Sequence, residues 1–214
     1  MAPHVWRGLS SEKARLRRSF LARRDGLSLA FVERHSARMI GRFWRLQAAR
    51  EKGWLSSYLA FAREVRTRPL IEEALCRGWR VAVPVVSSEP GGALLLSEVK
   101  NLETELREGR LGIWEPRASA IRPVTPEVID CFVVPGIAFD RGGRRLGCGH
   151  GYYDRLLAGA RPDAWRIGMA FSCQMGDRIP SDPTDIRMHR VVTEKGVWRG
   201  LSRRAASLSL AIKP

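Results

Sequence analysis

The sequence predicts an α/β fold: a single three-layer domain with a mainly parallel sheet and helices on both faces, preceded by N-terminal helices. Short apolar runs rich in β-branched residues alternate with segments whose apolar residues recur at helical spacing. The run "WRVAVPVV" at 79–86 is apolar at successive positions, which suits a strand covered on both faces. With 214 residues, the chain has the length of one such domain.

Two helices are predicted before the first strand. Residues 11–24, "SEKARLRRSFLARR", form the first, and Asp25-Gly26 ends it. Ser10 or Ser11 is available as its N-cap. Ser28 is expected to cap the second helix. The apolar residues of that helix follow helical spacing: Val32, Met39, Phe43 and Leu46.

The remaining elements alternate. Six apolar segments are predicted as strands: 53–61, 79–86, 93–99, 130–136, 164–171 and 190–194. Helices are expected from Thr67, as N-cap, to about Cys76, then near 101–107, and directly after the glycines of 147–151. In α/β sheets, ligands bind at the loops beyond the carboxyl ends of the strands. The glycine-rich loop follows the strand "DCFVVPG" and is therefore expected at such an end.

The stretch "LGCGHGYYDR" at 146–155 is the strongest local signal for a ligand. Backbone N–H groups converge on phosphate oxygens only where no Cβ blocks the approach, and Gly147, Gly149 and Gly151 also admit positive φ. A helix that starts at Gly151 or Tyr152 adds free N–H donors. The spacing matches neither the Walker A pattern nor the dinucleotide fingerprint. By itself the motif therefore fits a phosphate loop and a flexible hairpin tip equally well.

Each charged residue near this loop has two possible interpretations. Asp154 lies in the first turn of the predicted helix, where it serves as a helix cap or as a Mg²⁺ ligand. Arg145 and Arg155 flank the loop and either neutralise phosphate or face water. Lys13 and Arg17 stand four residues apart on one helix face, which either grips a phosphate chain or is simply solvated.

Composition restricts the partners. The net charge of +15 and the pI of about 11.0 favour anionic ligands, although a host that prefers Arg would give a similar composition. The Arg residues are scattered, and no aromatic pattern of an RNA-binding module is present, so we expect no specific nucleic-acid partner. No apolar run reaches the roughly 20 residues that span a bilayer, and the N-terminus lacks a signal-peptide core. We expect a cytoplasmic monomer without a membrane partner.

The four cysteines form no CxxC pair and have no His at zinc spacing. We therefore expect four free thiols, mostly buried, with Cys148 in the glycine loop as the accessible exception.

The run "VVPGIAFDRGGRRLGCGHGYYDRLL" at 133–157 resembles the signature of the 5-formyltetrahydrofolate cyclo-ligase family. Other matching segments follow in the right order: "KARLR", "YLAFAREVRTRPLIEEALCRGWRVAVPVV", "LGIWEP" and "PSDPTDIRMHRVVTEKGV". The resemblance covers roughly residues 11–197 and leaves an N-terminal tail at 1–10 and a basic C-terminal tail at 198–214.

The resemblance implies an enzyme with a single α/β domain that uses ATP and Mg²⁺. Its substrate would be 5-formyltetrahydrofolate, with or without a polyglutamate tail, and its products 5,10-methenyltetrahydrofolate, ADP and phosphate. A formamide oxygen is a poor leaving group, so ATP would phosphorylate it before the folate N10 nitrogen attacks. Such a site needs phosphate binding, a metal and a rigid hold on the pterin.

The resemblance also assigns roles to residues. Those expected at ATP are Lys13, Arg17, Arg145, Gly147, Cys148, Gly149, His150, Gly151, Tyr152 and Tyr153. Those expected at the folate are Leu59, Glu64, Cys148, Gly149, His150, Gly151 and Tyr152. The expected catalytic residues are Arg145, His150 and Tyr152, and the expected metal ligands are Asp154 and Asp185. A carboxylate at Glu64 is able to accept two N–H bonds from the pterin edge, whereas without the resemblance it reads as a surface carboxylate before a helix.

Some residues depart from the family pattern. Cys148 and His150 occupy variable loop positions, and His150 stands where a cation is sometimes found, which affects phosphate affinity more than reaction type. Asp182 stands where relatives often carry Glu. The alternative hypothesis is a non-catalytic paralogue that binds a folate or nucleotide as a carrier or regulator. A third, an RNA-binding protein, rests on net charge alone.

Overall fold

The computed structural model describes residues 4–46, 49, 53–87, 92–109 and 112–202, with side chains from residue 11 onward. The described helices are α1 (His4–Asp25), α2 (Leu29–Phe43), α3 (Arg68–Cys76), α4 (Leu102–Glu105) and α5 (Tyr152–Ala158). None of the helices in these ranges combines the length and the apolar character needed to cross a membrane. Residues 1–3 and 203–214 of the two predicted tails lie outside the described residues, and the domain boundaries stay predictions.

Thirteen strands are described. They are β1 (Trp54–Ser57), β2 (Arg80–Val86), β3 (Leu94–Val99), β4 (Leu106–Glu108), β5 (Trp114–Pro116), β6 (Pro123–Val124), β7 (Cys131–Val134), β8 (Ala138–Asp140), β9 (Arg145–Leu146), β10 (Trp165–Met169), β11 (Met175–Gly176), β12 (Arg190–Val192) and β13 (Val197–Arg199). Eight of them form the main sheet in the order β13-β12-β10-β7-β1-β2-β3-β6. The five strands from β12 to β2 are mutually parallel, whereas β13, β3 and β6 pair antiparallel at the two edges. The predicted mainly parallel α/β sheet is confirmed.

The strand order changes direction at β1. Leu55 pairs with Val81 of β2 on one side and with Cys131 of β7 on the other. From β1 the chain adds β2 and β3 on one side, and it then builds β7, β10 and β12 on the opposite side. A crevice opens at such a switch point, beyond the carboxyl ends of the two neighbouring strands. The topology therefore places a ligand site next to Ser57 and Val134.

Helices cover both faces of the main sheet. Because side chains alternate along a strand, Cys131 and Val133 contact the core under α2 and α3, whereas Phe132 and Val134 face α5. Met39 and Phe43 of α2 are fully buried in the first of these cores. The other core contains Leu156 and Leu157 of α5. This arrangement matches the predicted three layers.

Helix α1 packs outside these layers on a second, smaller sheet. This sheet has the order β11-β8-β9. Phe20 of α1 joins a buried cluster with Ile137, Ala138, Leu146 and Ile179. The contact fixes α1 beside the segment that leads from β9 into the glycine loop.

Several local predictions need correction. Helix α1 begins at His4, so Ser10 and Ser11 lie within the helix and do not cap it. Strand β1 ends at Ser57 instead of residue 61. Thr67 is the N-cap residue of α3, as predicted, but its hydroxyl donates to the Tyr58 carbonyl and makes no capping bond. By contrast, the Ser28 cap is confirmed, since its hydroxyl oxygen accepts from the Phe31 N–H.

The cysteines are free, as expected, but the prediction that most are buried is wrong. Only Cys131 is buried, Cys173 is half-buried, and Cys76 and Cys148 are exposed. Cys76 ends α3 on the side away from the core, because that short helix buries only Leu70, Ile71 and Ala74.

Candidate active site

A cleft of about 530 Å³ lies at the switch point between β1 and β7. It is lined by Lys13, Arg17, Glu64, Leu94, Pro135, Gly136, Ile137, Arg145, Leu146, Gly147, Cys148, Gly149, His150, Gly151, Tyr152, Tyr153, Asp154, Asp182, Thr184 and Asp185. The lining comes from α1, the segment after β1, the segment after β7, the glycine loop, α5 and the loop before β12. All but one of the predicted site residues therefore meet in one cleft, and the exception is Leu59.

The sequence suggested that the glycine loop directly follows β7, but the loop begins at the end of β9. The hairpin of β8 and β9 intervenes, and Asp140 forms the turn between them by accepting from the Arg144 N–H. Pro135 and Gly136, which directly follow β7, still line the cleft. The hairpin thus returns the loop to the carboxyl end of β7, where the ligand site was expected.

The loop glycines are required by both conformation and space. Gly149 has φ of +105° and Gly151 has φ of +66°, conformations that side-chain-bearing residues rarely adopt. A Cβ on Gly147 would lie 2.7 Å from Nη1 of Arg145, too close for van der Waals contact. The loop backbone therefore approaches the cleft without side chains from these three positions.

Helix α5 starts where it was predicted. Gly151 is its N-cap residue, and Asp154 lies in the first turn. The helix has only seven residues, so its dipole is small. Asp154 accepts from Nη2 of Arg145 at 2.8 Å and from the Ile186 N–H at 3.0 Å. Its carboxylate thus links β9, α5 and the loop before β12.

Like Lys13, Arg145 is a buried cation that lines the cleft. Its side chain is 5% exposed, and its guanidinium carbon lies 5.6 Å from the centre of the Tyr153 ring. Its Nε is buried without a hydrogen-bond partner among the described residues. Burial raises the pKa of Tyr153 far above its ordinary value, so its hydroxyl stays protonated. Arg145 therefore presents an unsatisfied donor beside the cleft.

Two cations on α1 also line the cleft. Arg17 donates from Nε to the Gly147 carbonyl at 2.8 Å. Nζ of Lys13 lies 2.5 Å from Oδ2 of Asp182 and 2.8 Å from Oδ2 of Asp185. Burial lowers the pKa of Lys13, but the hydrogen bonds to the two carboxylates outweigh it and leave the pKa raised. Lys13 is therefore held as an ammonium in the cleft wall.

The acidic residues fit a magnesium ion shared with phosphates. Within the described ranges, no three His, Cys, Asp or Glu side chains come together as a metal cage. A cage is not needed for Mg²⁺, which binds through one or two carboxylates and completes its shell with phosphate and water. Asp154 and Asp185 both line the cleft, and Oδ1 of Asp182 is buried without a hydrogen-bond partner among the residues that the structure describes. The donor set is all oxygen, which is the chemistry that Mg²⁺ selects.

Glu64 lies at the end of the cleft nearest β1. Its carboxylate accepts from the Phe61 N–H at 3.0 Å and lies 3.7 Å from Nη1 of Arg24. Burial raises the pKa of Glu64, while the Phe61 N–H, Arg24 and Arg66 act against that rise. Among the described residues, Oε1 has only the long contact to Arg24, so Glu64 is able to accept hydrogen bonds from a ligand.

Leu59 is not brought to the cleft. It is half-buried and packs against the core under α2 and α3. The adjacent Tyr58 is buried, and its hydroxyl donates to the Val65 carbonyl. This bond closes the 58–65 loop and turns Glu64, but not Leu59, towards the cleft.

The outer part of the loop carries His150 and Tyr152. Their rings stack with centroids 5.5 Å apart. Arg155 donates to the His150 carbonyl at 2.9 Å, and its guanidinium lies over the Tyr152 ring. Arg155 is exposed and does not line the cleft, so it braces the loop from outside, and a contact with phosphate stays a prediction. Cys148 lies exposed at the cleft mouth.

Sequence reasoning missed several lining residues. Pro135, Gly136 and Ile137 line the cleft because the strand order places the end of β7 at the switch point, which no local pattern reveals. Leu94 enters from β3. Asp182 was noted only as a departure from the family, although its carboxylate forms the shortest contact to Lys13.

The comparisons with known proteins identify the family. A sequence model of the 5-formyltetrahydrofolate cyclo-ligase family matches residues 9–194. The chain belongs to the 5-formyltetrahydrofolate cyclo-ligase family. The 5-formyltetrahydrofolate cyclo-ligase of Escherichia coli is 37% identical over 143 residues, which are 66% of this chain and 78% of the relative. That of Mycolicibacterium smegmatis is 32% identical over 155 residues, 67% of this chain and 80% of the relative.

Solved structures agree with this family. The NMR structure of Aquifex aeolicus 5,10-methenyltetrahydrofolate synthetase has a TM-score of 0.75 and 35% identity, and the match covers 89% of this chain and 95% of that one. The structure of a 5,10-methenyltetrahydrofolate synthetase from Mycoplasma pneumoniae, at 23% identity and a TM-score of 0.66, shows the same fold over 84% of this chain and 97% of that one. The prediction of a cyclo-ligase family enzyme is therefore confirmed.

Proposed function

We propose that this cyclo-ligase family enzyme converts 5-formyltetrahydrofolate to 5,10-methenyltetrahydrofolate and uses MgATP, with release of ADP and phosphate. The observation that supports this most is the convergence in one cleft of a glycine loop, cations from α1 and β9, and the carboxylate of Glu64. The glycine loop and the cations from α1 and β9 suit a phosphate chain, and Glu64 suits the N–H edge of a pterin. The family match at 9–194 supplies the reaction type.

In this proposal, the phosphates of ATP lie against the backbone of the glycine loop. Lys13 and Arg17 contact them from α1. The pterin ring hydrogen-bonds to Glu64 near β1, so the formyl group points to the loop between Cys148 and Tyr152. Both reacting groups are then held together, which replaces a collision of two molecules by a reaction within one complex.

The chemistry has two steps. The formyl oxygen attacks the γ-phosphorus and ADP leaves, which gives an imidate-like phosphate on the folate. The folate N10 nitrogen then attacks the formyl carbon and loses its proton, and the C–O bond breaks to release phosphate. Arg145 stabilises the charge on the transferred phosphoryl group, while His150 and Tyr152 cover it from the outer loop.

Asp154 and Asp185 would hold the magnesium ion, whose chemistry is to neutralise charge on the phosphate oxygens during transfer. Both carboxylates have cationic partners, Arg145 and Lys13, which orient them. We further propose that the enzyme works as a monomer in the cytoplasm on folates with or without a polyglutamate tail.

The test is direct. Purified protein is incubated with 5-formyltetrahydrofolate, ATP and Mg²⁺, and the methenyl chromophore and ADP are measured together. The proposal expects equal amounts of both and neither product when ATP or Mg²⁺ is omitted. A folded protein that forms neither product contradicts the proposal. Folate or nucleotide binding without ADP would instead support the non-catalytic carrier or regulator.

A further inference from the structure

Lys13 has two carboxylate partners, although one is enough to hold an ammonium group. Its Nζ contacts Oδ2 of Asp182 and Oδ2 of Asp185. Lys13 belongs to α1, whereas both aspartates belong to the loop before β12, so the cluster joins segments about 170 residues apart in the chain. All three side chains are largely buried, which makes their charges depend on each other.

The two aspartates differ in how their oxygens are used. Oδ2 of Asp185 accepts from Lys13 and also from the Asp182 N–H at 2.7 Å, so both of its hydrogen bonds go to one oxygen. Oδ1 of Asp185 has no hydrogen-bond partner in the part of the chain that the structure describes, which leaves it for another ligand. Asp182 has its Oδ2 on Lys13, and its Oδ1 is buried without a partner among the described residues. Without Lys13, the carboxylate of Asp182 would be a largely buried charge with no partner.

We propose that Asp182 is a positioning residue that holds the Lys13 ammonium at the phosphate site, so that Asp185 is available to the metal. The inference rests on the proposed function, in which Lys13 contacts phosphate and Asp185 contacts Mg²⁺. When Asp185 turns to the metal, Lys13 keeps Asp182 as its counter-charge and stays in place. Without Asp182, the ammonium has only Asp185, and it competes with the metal for that carboxylate.

Asp182→Asn and Asp185→Asn are a matched pair, because each removes one negative charge in contact with the same ammonium. ATP affinity is measured by calorimetry in EDTA, where no metal is bound. We expect Asp182→Asn to weaken metal-free ATP binding about fivefold relative to Asp185→Asn, because Asp182 makes the shorter contact with Nζ and Asp185 shares its Oδ2 with the Asp182 N–H. General electrostatics acts alike in both variants and does not cause this difference. In turnover assays, both variants should raise the half-saturating Mg²⁺ concentration. Equal ATP affinities of the two variants in EDTA would overturn the proposal.

A double-mutant cycle then separates positioning from a direct contact of Asp182 with nucleotide. In the Lys13→Met background, Asp182→Asn should change metal-free ATP affinity by less than about twofold, because there is no ammonium left to position. An undiminished effect in that background overturns the role. Asp182→Glu keeps the charge on a longer side chain and should recover part of the affinity.

A stability measurement tests the same idea independently of ATP and turnover. Unfolding by urea gives the coupling between Lys13→Met and each aspartate variant, with EDTA and with excess Mg²⁺. We expect a coupling of roughly fivefold in the unfolding equilibrium constant for Lys13 and Asp182 under both conditions. The coupling of Lys13 and Asp185 should fall when Mg²⁺ is added. A protein that shows these couplings but makes no product would contradict the proposed function and leave the positioning role intact. Loss of the Lys13–Asp182 coupling in Mg²⁺ would overturn the positioning role of Asp182.

Discussion

Nη2 of Arg145 lies 2.8 Å from Oδ2 of Asp154, an ion pair that joins strand β9 to the first turn of α5 across the glycine loop. The ion pair therefore holds together the two ends of the glycine loop. The other oxygen of Asp154 accepts from the Ile186 N–H, which connects the glycine loop to the loop that carries Asp185. The Asp154 carboxylate is itself a proposed metal ligand, and it aligns the glycine loop with Asp185, the other proposed ligand.

Asp154→Asn should lower turnover roughly 10- to 100-fold and raise the Mg²⁺ requirement, because a metal ligand and the partner of Arg145 are both lost. The free energy of unfolding should fall by about 2 kcal/mol, since the Arg145 charge stays buried while Oδ1 still accepts from Ile186. Steady-state kinetics over a range of Mg²⁺ and thermal unfolding check both. Asp177→Asn, at an exposed carboxylate, is the control. Unchanged turnover in Asp154→Asn would rule out its proposed role.

Gly149→Ala should weaken ATP binding and cost about 1–3 kcal/mol of stability, because φ of +105° is strained for any residue with a Cβ. The new Cβ would also lie 3.4 Å from the Arg17 guanidinium. Nucleotide titration and urea unfolding measure the two effects. Gly41→Ala is the matched control, since nothing lies within 4 Å of its Cβ in α2 and the helix should gain stability. If Gly149→Ala binds ATP like the unaltered chain, the loop does not need this conformation for ATP.

Glu64→Gln should weaken folate binding and at the same time stabilise the protein at neutral pH. Burial raises the pKa of Glu64, so the folded state binds its proton more tightly than the unfolded state does. Stability therefore falls as the pH rises from the unfolded pKa through the raised folded pKa, and the full cost of the buried charge is present above it. An amide carries no charge, so the substitution removes this cost.

Urea unfolding of Glu64→Gln and of the unaltered chain at several pH values tests this sign. The variant should be the more stable protein near pH 7, and the difference should shrink in acid, where Glu64 is protonated. Folate binding of the unaltered chain should weaken as the pH falls through the raised pKa, and the variant should lack that step. Glu108→Gln, at an exposed carboxylate of β4, should show neither effect. A variant that is less stable at neutral pH would show that the Arg24 contact outweighs burial.

The order of helices and strands could be predicted because it depends on local chemistry. Ser28 caps α2 through its own hydroxyl, and the apolar runs at β2, β7 and β10 are buried wherever they lie in the sheet. The hairpin of β8 and β9 was missed because strands of two or three residues are too short to show a period. The early start of α1 was missed because serines favour caps in general, although here they lie within the helix.

The site could be predicted only where a motif or the family resemblance marked it. Gly149 and Gly151 have the positive φ that the glycine spacing indicated. Asp182 could not be recognised, because its importance comes from a contact with Lys13, 169 residues away in sequence. Leu59 shows the limit of a family position: its side chain packs against the core outside the cleft lining, and its contact with the folate stays a prediction.

Arg17→Lys tests whether α1 shapes the loop as well as binding phosphate. Arg17 donates from Nε to the Gly147 carbonyl and so has other guanidinium N–H groups left for a ligand. Lys has one ammonium and no rigid fork, so it is unable to hold the carbonyl and a phosphate with the same geometry. We expect ATP affinity to fall about tenfold, with a smaller change in folate affinity. Arg18→Lys, one residue along on the exposed face of α1, should leave both affinities unchanged. Equal losses of ATP affinity and folate affinity in Arg17→Lys would mean that α1 supports the whole cleft and not the glycine loop in particular.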